Sequence, residues 1–409
     1  MMISRVQKKK LVSLEFWCAF LFFLSLILND CFGEKPGYHM ISNYLILLFM
    51  ISVLFLIWAQ ETRIPIIIIV LLAMNLLWWT LSCVWTVGNA GFIYTLSLNL
   101  LLGLMSFCFF YHSKNYEVLF YALFVSGIVL MVFSFFIYGF EGFFEILQEE
   151  ERLGGEISNE NTFGKVFAYG VIAGLYLVIY QKKYWSIIVS FLFLGFSLAS
   201  GSRKAILIII IGVTLLLLIR VGLKRPVAYI VILTIVISLL FFILQLPMFS
   251  VANERFTTLI FGGPNDYSTN TRNRMIAVGV DLFAQKPLTG WGIAGYASAS
   301  GFNKYSHNNF IEILVNYGII GFILYYAMHT YILLTLSARI KSAIPQQAMM
   351  FTIILTSLIM DYGNVSYDMK WMWMILGAGM ALSIDVNKKR THQSKGDRKG
   401  IANEVEKGA

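Results

Sequence analysis

Charged side chains are scarce in this sequence. Asp, Glu, Lys and Arg make up 13% of its 409 residues, where a soluble domain carries about 25%. So little charge cannot cover a water-facing surface, which excludes an ordinary soluble enzyme or binding domain. Cysteine is scarce too. Cys18, Cys31, Cys83 and Cys108 lack the spacing of a metal site, and Cys18 and Cys108 lie in apolar runs where a thiol behaves as a small hydrophobe. Cys31 and Cys83 both fall at the outer membrane face in the topology below, where two unpaired thiols are favoured over a disulfide. No fixed-period repeat or low-complexity segment is present. No small-x-small cleavage site follows the apolar residues 11–29, so that run reads as an uncleaved first span.

What the chain has is hydrophobic length. Apolar residues make up 58% of it, with mean hydropathy +0.74. They fall in runs of about 18 to 25 residues, enough to cross a bilayer core of roughly 30 Å. These runs lie near 11–30, 39–58, 64–83, 91–111, 116–138, 163–181, 184–200, 204–220, 226–245, 309–336, 345–361 and 370–385. The fold class expected is all-α: a polytopic integral membrane protein of about 12 transmembrane helices, forming one membrane domain over residues 1–409 with one large outer loop at 246–308. Residues 386–409 read as a flexible cytoplasmic tail.

The net charge of +9 sits in short loops and in that tail, not in one stripe on a soluble domain, which argues against a nucleic-acid partner. Arg63, Lys114, Lys182, Lys183, Arg220, Lys224, Arg225, Arg339 and Lys341 alternate between spans as the excess of inner positive charge requires. Both termini are then cytoplasmic, and the outer face is acidic with a few cations on it.

Polar residues near that outer face carry the chemistry, because burying them is costly unless they are paired or used. Residues 139–162 form an acidic outer segment, and 246–308 is the only sizeable extramembrane piece. Within it, residues 272–285 place Met275, Ile276, Leu282 and Phe283 at helical spacing behind a Thr271 N-cap, predicting a helix on the outer membrane surface. Outward cations include Arg152, Arg203, Lys204, Arg255, Arg272 and Arg274. Arginine suits phosphate and pyrophosphate because its guanidinium is a planar, permanently charged fork. Arg272 and Arg274 fall in the first turn of the expected helix, where a bound anion would offset the unfavourable dipole; snorkelling to lipid headgroups, or pairing with Glu254 and Asp266, is the competing reading. Arg203 sits in the tight turn Ser200-Gly201-Ser202-Arg203-Lys204, which could fix a lipid phosphate or simply anchor a span end.

The densest constellation is Ser306-His307-Asn308-Asn309-Phe310-Ile311-Glu312, followed by Asn316, Gly318 and Gly321. Asn308, Glu312 and Asn316 share a helix face and make a polar stripe about two turns deep. Lipid cannot satisfy it, so it faces either a water-filled cavity or partner helices. His307 at its mouth can take a proton near neutral pH. A second cluster, Asn159-Glu160-Asn161 with Lys165 and Tyr169, could bind sugar hydroxyls or pair internally as Glu160 with Lys165.

Four segments together resemble the bacterial O-antigen ligase and polymerase superfamily. They are Asn159-Glu160-Asn161, Ser200-Gly201-Ser202-Arg203, Arg272 to Trp291 with its Lys-Pro-Leu-Thr-Gly-Trp-Gly ending, and Ser306-His307-Asn308-Asn309 leading to Tyr317-Gly318-Ile319-Ile320-Gly321. The resemblance covers roughly residues 155–335. It implies a glycosyltransferase of the bacterial cytoplasmic membrane that acts at the periplasmic face on a polyprenyl-diphosphate-linked oligosaccharide, without metal or other cofactor. It also implies Arg203 and Arg274 as diphosphate-binding residues, with Arg272 the alternative to Arg274, and His307 as base. Substrate contacts would come from Arg272, Asn308, Asn309, Glu312, Asn161, Glu160 and Arg152. A polymerase of an O-antigen or capsule pathway is favoured, with a flippase and a chain-length regulator as partners besides the bilayer. A ligase that moves the glycan to another acceptor is the alternative within the superfamily. A lipid-linked oligosaccharide transporter is the alternative outside it, although most spans lack a central ionisable residue, His329 being the clearest exception.

Overall fold

The computed structural model describes residues 5–32, 36–59, 64–149, 151–222, 226–261, 267–338 and 344–387. Among them every regular element is helical. In chain order these are α1 (Arg5–Phe32), α2 (Pro36–Ala59), α3 (Ile66–Ser82), α4 (Phe92–Ser113), α5 (Glu117–Gln148), α6 (Glu160–Gln181), α7 (Ser186–Ala199), α8 (Arg203–Val221), α9 (Pro226–Leu244), α10 (Ser250–Phe261), α11 (Tyr267–Gln285), α12 (Gly295–Ala299), α13 (Asn309–Ser337) and α14 (Pro345–Met360), followed by α15 at residues 370–387. All-helical structure is what a bilayer dictates, because only closed backbone hydrogen bonding is tolerated there.

Each of the twelve apolar runs is a helix, but they are not equivalent. Among the described residues eight helices are long and apolar enough to cross a membrane, making this a multi-pass membrane protein. Three others, Ile66–Ser82, Ser186–Ala199 and Pro345–Met360, are apolar but shorter. Arg63, Lys224, Arg225, Arg339, Lys341 and the tail from 388 lie outside the described residues. All four cysteines are free.

Small residues govern how closely the helices approach. α6 packs chiefly on α7, α8 and α5: a Cβ on Gly164 would come within 2.3 Å of Ser200 Oγ, and one on Gly174 within 2.0 Å of Ser190 Oγ. Such glycines let membrane helices touch backbone to backbone. α13 packs on α3, α11 and α14, and α8 on α14 and α9.

Ends of the bundle differ in chemistry. At one end Glu117 accepts hydrogen bonds from Tyr176 (2.7 Å), Gln346 (3.0 Å) and Gln181, while Lys114 pairs with Asp385. At the other end lie the starts of α6, α8 and α13, the ends of α7 and α14, and helices α10 to α12. α7 and α14 both run toward this second end and are short. The 14 residues of α7 rise about 21 Å, less than the roughly 30 Å of a bilayer core.

Two expected loops are more ordered than their sequences suggest. α5 continues past its span to Gln148 across a break at Gly139 (φ 68°), so half of the acidic segment 139–162 is helix. In the 246–308 segment, α11 starts at Tyr267, four residues before the expected Thr271 cap. Part of its apolar face packs on protein. Met275 and Leu282 are buried with Tyr296 of α12 and Val315 of α13, and a Cβ on Gly279 would meet Ile311 at 2.2 Å. The helix docks on α13 because that neighbour offers matching apolar surface.

Candidate active site

The turn between α7 and α8 positions the first cation. Gly201 takes a left-handed conformation (φ 58°), and Ser202 caps α8 by accepting the Ala205 N–H (3.3 Å). Arg203 therefore begins α8, and it is 7% exposed. Along that helix Arg203, Lys204, Leu207 and Ile211 line one wall of a cavity of about 380 Å³. A second wall comes from α11, where Thr269, Arg272, Asn273 and Ile276 share a face. His307 and Leu259 complete the mouth, with Ile359, Met360, Tyr362 and Gly363 from the end of α14.

The cavity is amphipathic. Arg203, Lys204, Arg272 and His307 gather cationic and donor groups at one place, and Leu207, Ile211, Ile276, Ile359 and Met360 make apolar walls. Arg274 is exposed and not part of the lining. Residues two apart on an α-helix point about 200° apart, so when Arg272 faces the cavity Arg274 turns away. Both lie past the first turn of α11, where the helix dipole has largely faded.

His307 is held between two pinned residues. The Ser306 N–H donates to Glu312 Oε2 (2.6 Å), the Ser306 hydroxyl donates to the Asn308 carbonyl (2.7 Å), and Asn308 Oδ1 accepts the Ile311 N–H (3.0 Å) as the α13 cap. His307 itself adopts φ 58°, an uncommon conformation for a non-glycine residue and one often found at functional sites. Its ring lies 4.3 Å from that of Tyr305, centroid to centroid. Burial, reinforced by the charges of Lys204, Arg272 and Lys304, pushes the imidazole pKa down to about 4. At neutral pH the ring is uncharged and able to accept a proton.

The polar stripe proves to be joinery. Glu312 accepts from the Ser306 backbone, so it acts on the loop that carries His307. Asn316 Oδ1 accepts the Tyr296 N–H (2.7 Å), and its Nδ2 donates to the Tyr367 hydroxyl (3.3 Å). Asn309 Nδ2 donates to Tyr326 (2.9 Å) and Asp361 (3.0 Å), while its Oδ1 accepts the N–H groups of Ser366 and Tyr367. The stripe faces partner segments of the protein: Asn309 bonds through both its side-chain polar atoms, while Asn308 and Glu312 each use one side-chain oxygen to hold the start of α13 and the Ser306 loop.

α13 is also joined to the preceding segment. It breaks at Gly318 (φ 65°, ψ −172°). The opened ladder is completed by the Lys-Pro-Leu-Thr-Gly-Trp-Gly segment: the Trp291 N–H donates to Val315 O (2.8 Å), the Gly292 N–H to Asn316 O (2.8 Å), and the Ile319 N–H to Pro287 O (2.9 Å). A Cβ on Gly318 would lie 2.1 Å from Leu288 O, and one on Gly290 2.6 Å from Asn316 O. The two glycine-containing motifs are the two halves of one joint.

The second polar cluster adjoins the cavity. Arg152 Nη1 lies 3.5 Å from Glu160 Oε2, its Nη2 donates to Asn161 Oδ1 (3.3 Å), and its Nε donates to Ser200 O (2.9 Å). Glu160 is thus paired with Arg152 and not with Lys165, and the cluster steadies the turn that presents Arg203.

Sequence spacing gave no sign of Tyr362 and Gly363, or that Lys204 shares the lining. Asp361, buried under hydrogen bonds from Ser366 (2.6 Å), Tyr326 (3.0 Å) and Asn309, closes an apolar run and opens the polar stretch to Asp368. That stretch was the available signal for a segment packed at the site.

A family model described as O-antigen ligase matches residues 188–326. The matched stretch contains Arg203, Lys204, Arg272 and His307, together with both halves of the glycine joint. No curated protein matches the chain.

Proposed function

We propose that this chain, whose residues 188–326 match a family model described as O-antigen ligase, is a membrane enzyme of the O-antigen ligase and polymerase superfamily that polymerises polyprenyl-diphosphate-linked oligosaccharide repeat units. The reaction takes place at the outer face of a bacterial cytoplasmic membrane and requires no metal. One observation carries the reading: a single cavity combines Arg203, Lys204 and Arg272 with apolar walls that run along α8. A lipid diphosphate has the complementary division, two phosphates for the cations and a hydrocarbon tail for the walls.

The chemistry follows from that placement. His307, uncharged before substrate binds, takes the proton of the acceptor hydroxyl. The freed oxygen forms a bond to the anomeric carbon of the donor as the bond from that carbon to the diphosphate breaks. The electron pair leaves with the diphosphate, whose growing charge Arg203, Lys204 and Arg272 stabilise. A single displacement inverts the anomeric centre, and the proton on His307 passes to water. Purified protein incubated with lipid-linked repeat units alone should yield longer lipid-linked chains. Product formation only after a different acceptor is added would make it a ligase, and relocation of the lipid without new glycosidic bonds would make it a transporter.

A further inference from the structure

A second cavity, of about 200 Å³, lies between α6, α7, α8 and α9. Its walls are apolar, with Val171 and Val178 on α6, Ile209 and Val213 on α8, and Val236 and Leu240 on α9. Ser190, a polar residue in the lining, already donates its hydroxyl to Ser186 O (2.8 Å). Phe191 and Leu239, also in the lining, are 57% and 50% exposed and mark the side on which a hydrocarbon chain can enter from the bilayer. The cavity is separate from the diphosphate site. Ile209 and Val213 each stand two residues from Leu207 and Ile211 of that site, about 200° around α8, so the two cavities use opposite faces of one helix.

Three walls of the second cavity lead to the closed end of the bundle, and each meets a polar side chain there. Lys182 closes α6 four residues beyond Val178. Arg220 follows Val213 by two turns on α8, with its guanidinium 5.9 Å from the centre of the Tyr180 ring. Tyr229 precedes Val236 by two turns on α9, and its hydroxyl is buried without a hydrogen-bond partner. Lys182 and Arg220 are exposed, and among the described residues no carboxylate pairs with either. Lys183, in contrast, is engaged by the Tyr121 hydroxyl. Depth identifies the occupant. Val171 to Lys182, Ile209 to Arg220 and Leu240 to Tyr229 are each eleven residues apart, about 16 Å along a helix. That is half of a bilayer core of roughly 30 Å, the thickness of one leaflet.

We propose that α6, α8 and α9 hold one anionic phospholipid from the leaflet at the closed end, which is the cytoplasmic one in the topology above. One acyl chain fills the cavity, Lys182 and Arg220 pair with the head group, and the Tyr229 hydroxyl donates to a phosphate or ester oxygen. Basic positions between membrane helices on the cytoplasmic side suit anionic head groups. The site is independent of the donor reading.

Titration of the detergent-solubilised full-length chain, read by native mass spectrometry, tests this with phosphatidylglycerol, phosphatidylcholine and polyprenyl diphosphate as probes. One phosphatidylglycerol should bind roughly tenfold or more tightly than phosphatidylcholine. Combining Lys182→Gln with Arg220→Gln should abolish that preference, and because both side chains are exposed the fold should be kept. Leu239→Trp, which plugs the open side, should weaken both phospholipids about tenfold, as two methylenes kept out of the cavity cost. Equal binding of the two phospholipids by wild type, or binding of neither, would overturn the proposal, and so would a double variant that keeps the preference. An unchanged affinity in Leu239→Trp would remove the acyl chain from the cavity. Displacement of bound phosphatidylglycerol by polyprenyl diphosphate would also overturn it, since the cavity would then belong to the polyprenyl tail.

Discussion

Arg272 and Arg274 are separated by one residue, carry the same charge and look interchangeable in the sequence, yet only Arg272 lines the cavity. The cause is helical geometry. Arg272→Gln should weaken donor binding about 10- to 100-fold, the loss of a charge-assisted contact. Arg274→Gln should change it by less than about twofold, as expected for an exposed charge; titration of both variants with polyprenyl diphosphate separates the two residues.

His307 yields a pH dependence with a definite sign. In the free protein burial and neighbouring cations hold its pKa near 4, so the acid limb of kcat/KM should fall at about that pH. A bound diphosphate brings negative charge close to the ring, which favours the imidazolium and raises the pKa. The acid limb of kcat should therefore lie at higher pH, toward the ordinary value of about 6.5. Coincident limbs in the two profiles would argue against diphosphate and imidazole sharing one site.

Among the elements, α13 shows best how the site is held. Its break at Gly318 exposes backbone groups that the segment from Pro287 to Gly292 takes up, and this fixes the end of α11 against α13. Gly318 has a backbone conformation essentially confined to glycine and no room for a side chain. Gly318→Ala should lower stability by more than about 3 kcal/mol, readable as a large drop in the melting temperature of the detergent-solubilised protein. Activity should fall with it because Arg272 is carried by the same helix. The polar stripe teaches a related lesson. Asn308, Glu312 and Asn316 were legible as a buried face, but from periodicity alone water, substrate and protein partners are equivalent ways to satisfy it. Tyr296, Ser306 and Tyr367, distant or adjacent in sequence, turned out to supply the bonds.

At the scale of the molecule, the two ends of the bundle have different tasks. One is closed by Lys114 with Asp385 and by the contacts of Glu117; the other opens into the cavity. The proposed topology, argued from excess positive charge in alternate loops, puts the closed end in the cytoplasm. In a variant whose native cysteines are replaced by serine, Tyr305→Cys should react with a membrane-impermeant thiol reagent applied to intact spheroplasts, and Lys182→Cys should react only after lysis. The reverse pattern would invert the topology and move the site to the inner face.

The sequence by itself determined the class of molecule, the positions of the helices and the short motifs that mark the site, since bilayer thickness and the cost of buried polarity leave a linear imprint on the chain. It could not decide which of two nearby arginines enters the cavity, which partner satisfies each buried amide, or that α11 turns its apolar face to α13. Those outcomes depend on neighbours brought together from far along the chain: α8, α11 and the end of α14 meet at Arg203, Arg272 and Tyr362. Periodicity records that a face must be covered. Only packing decides by what.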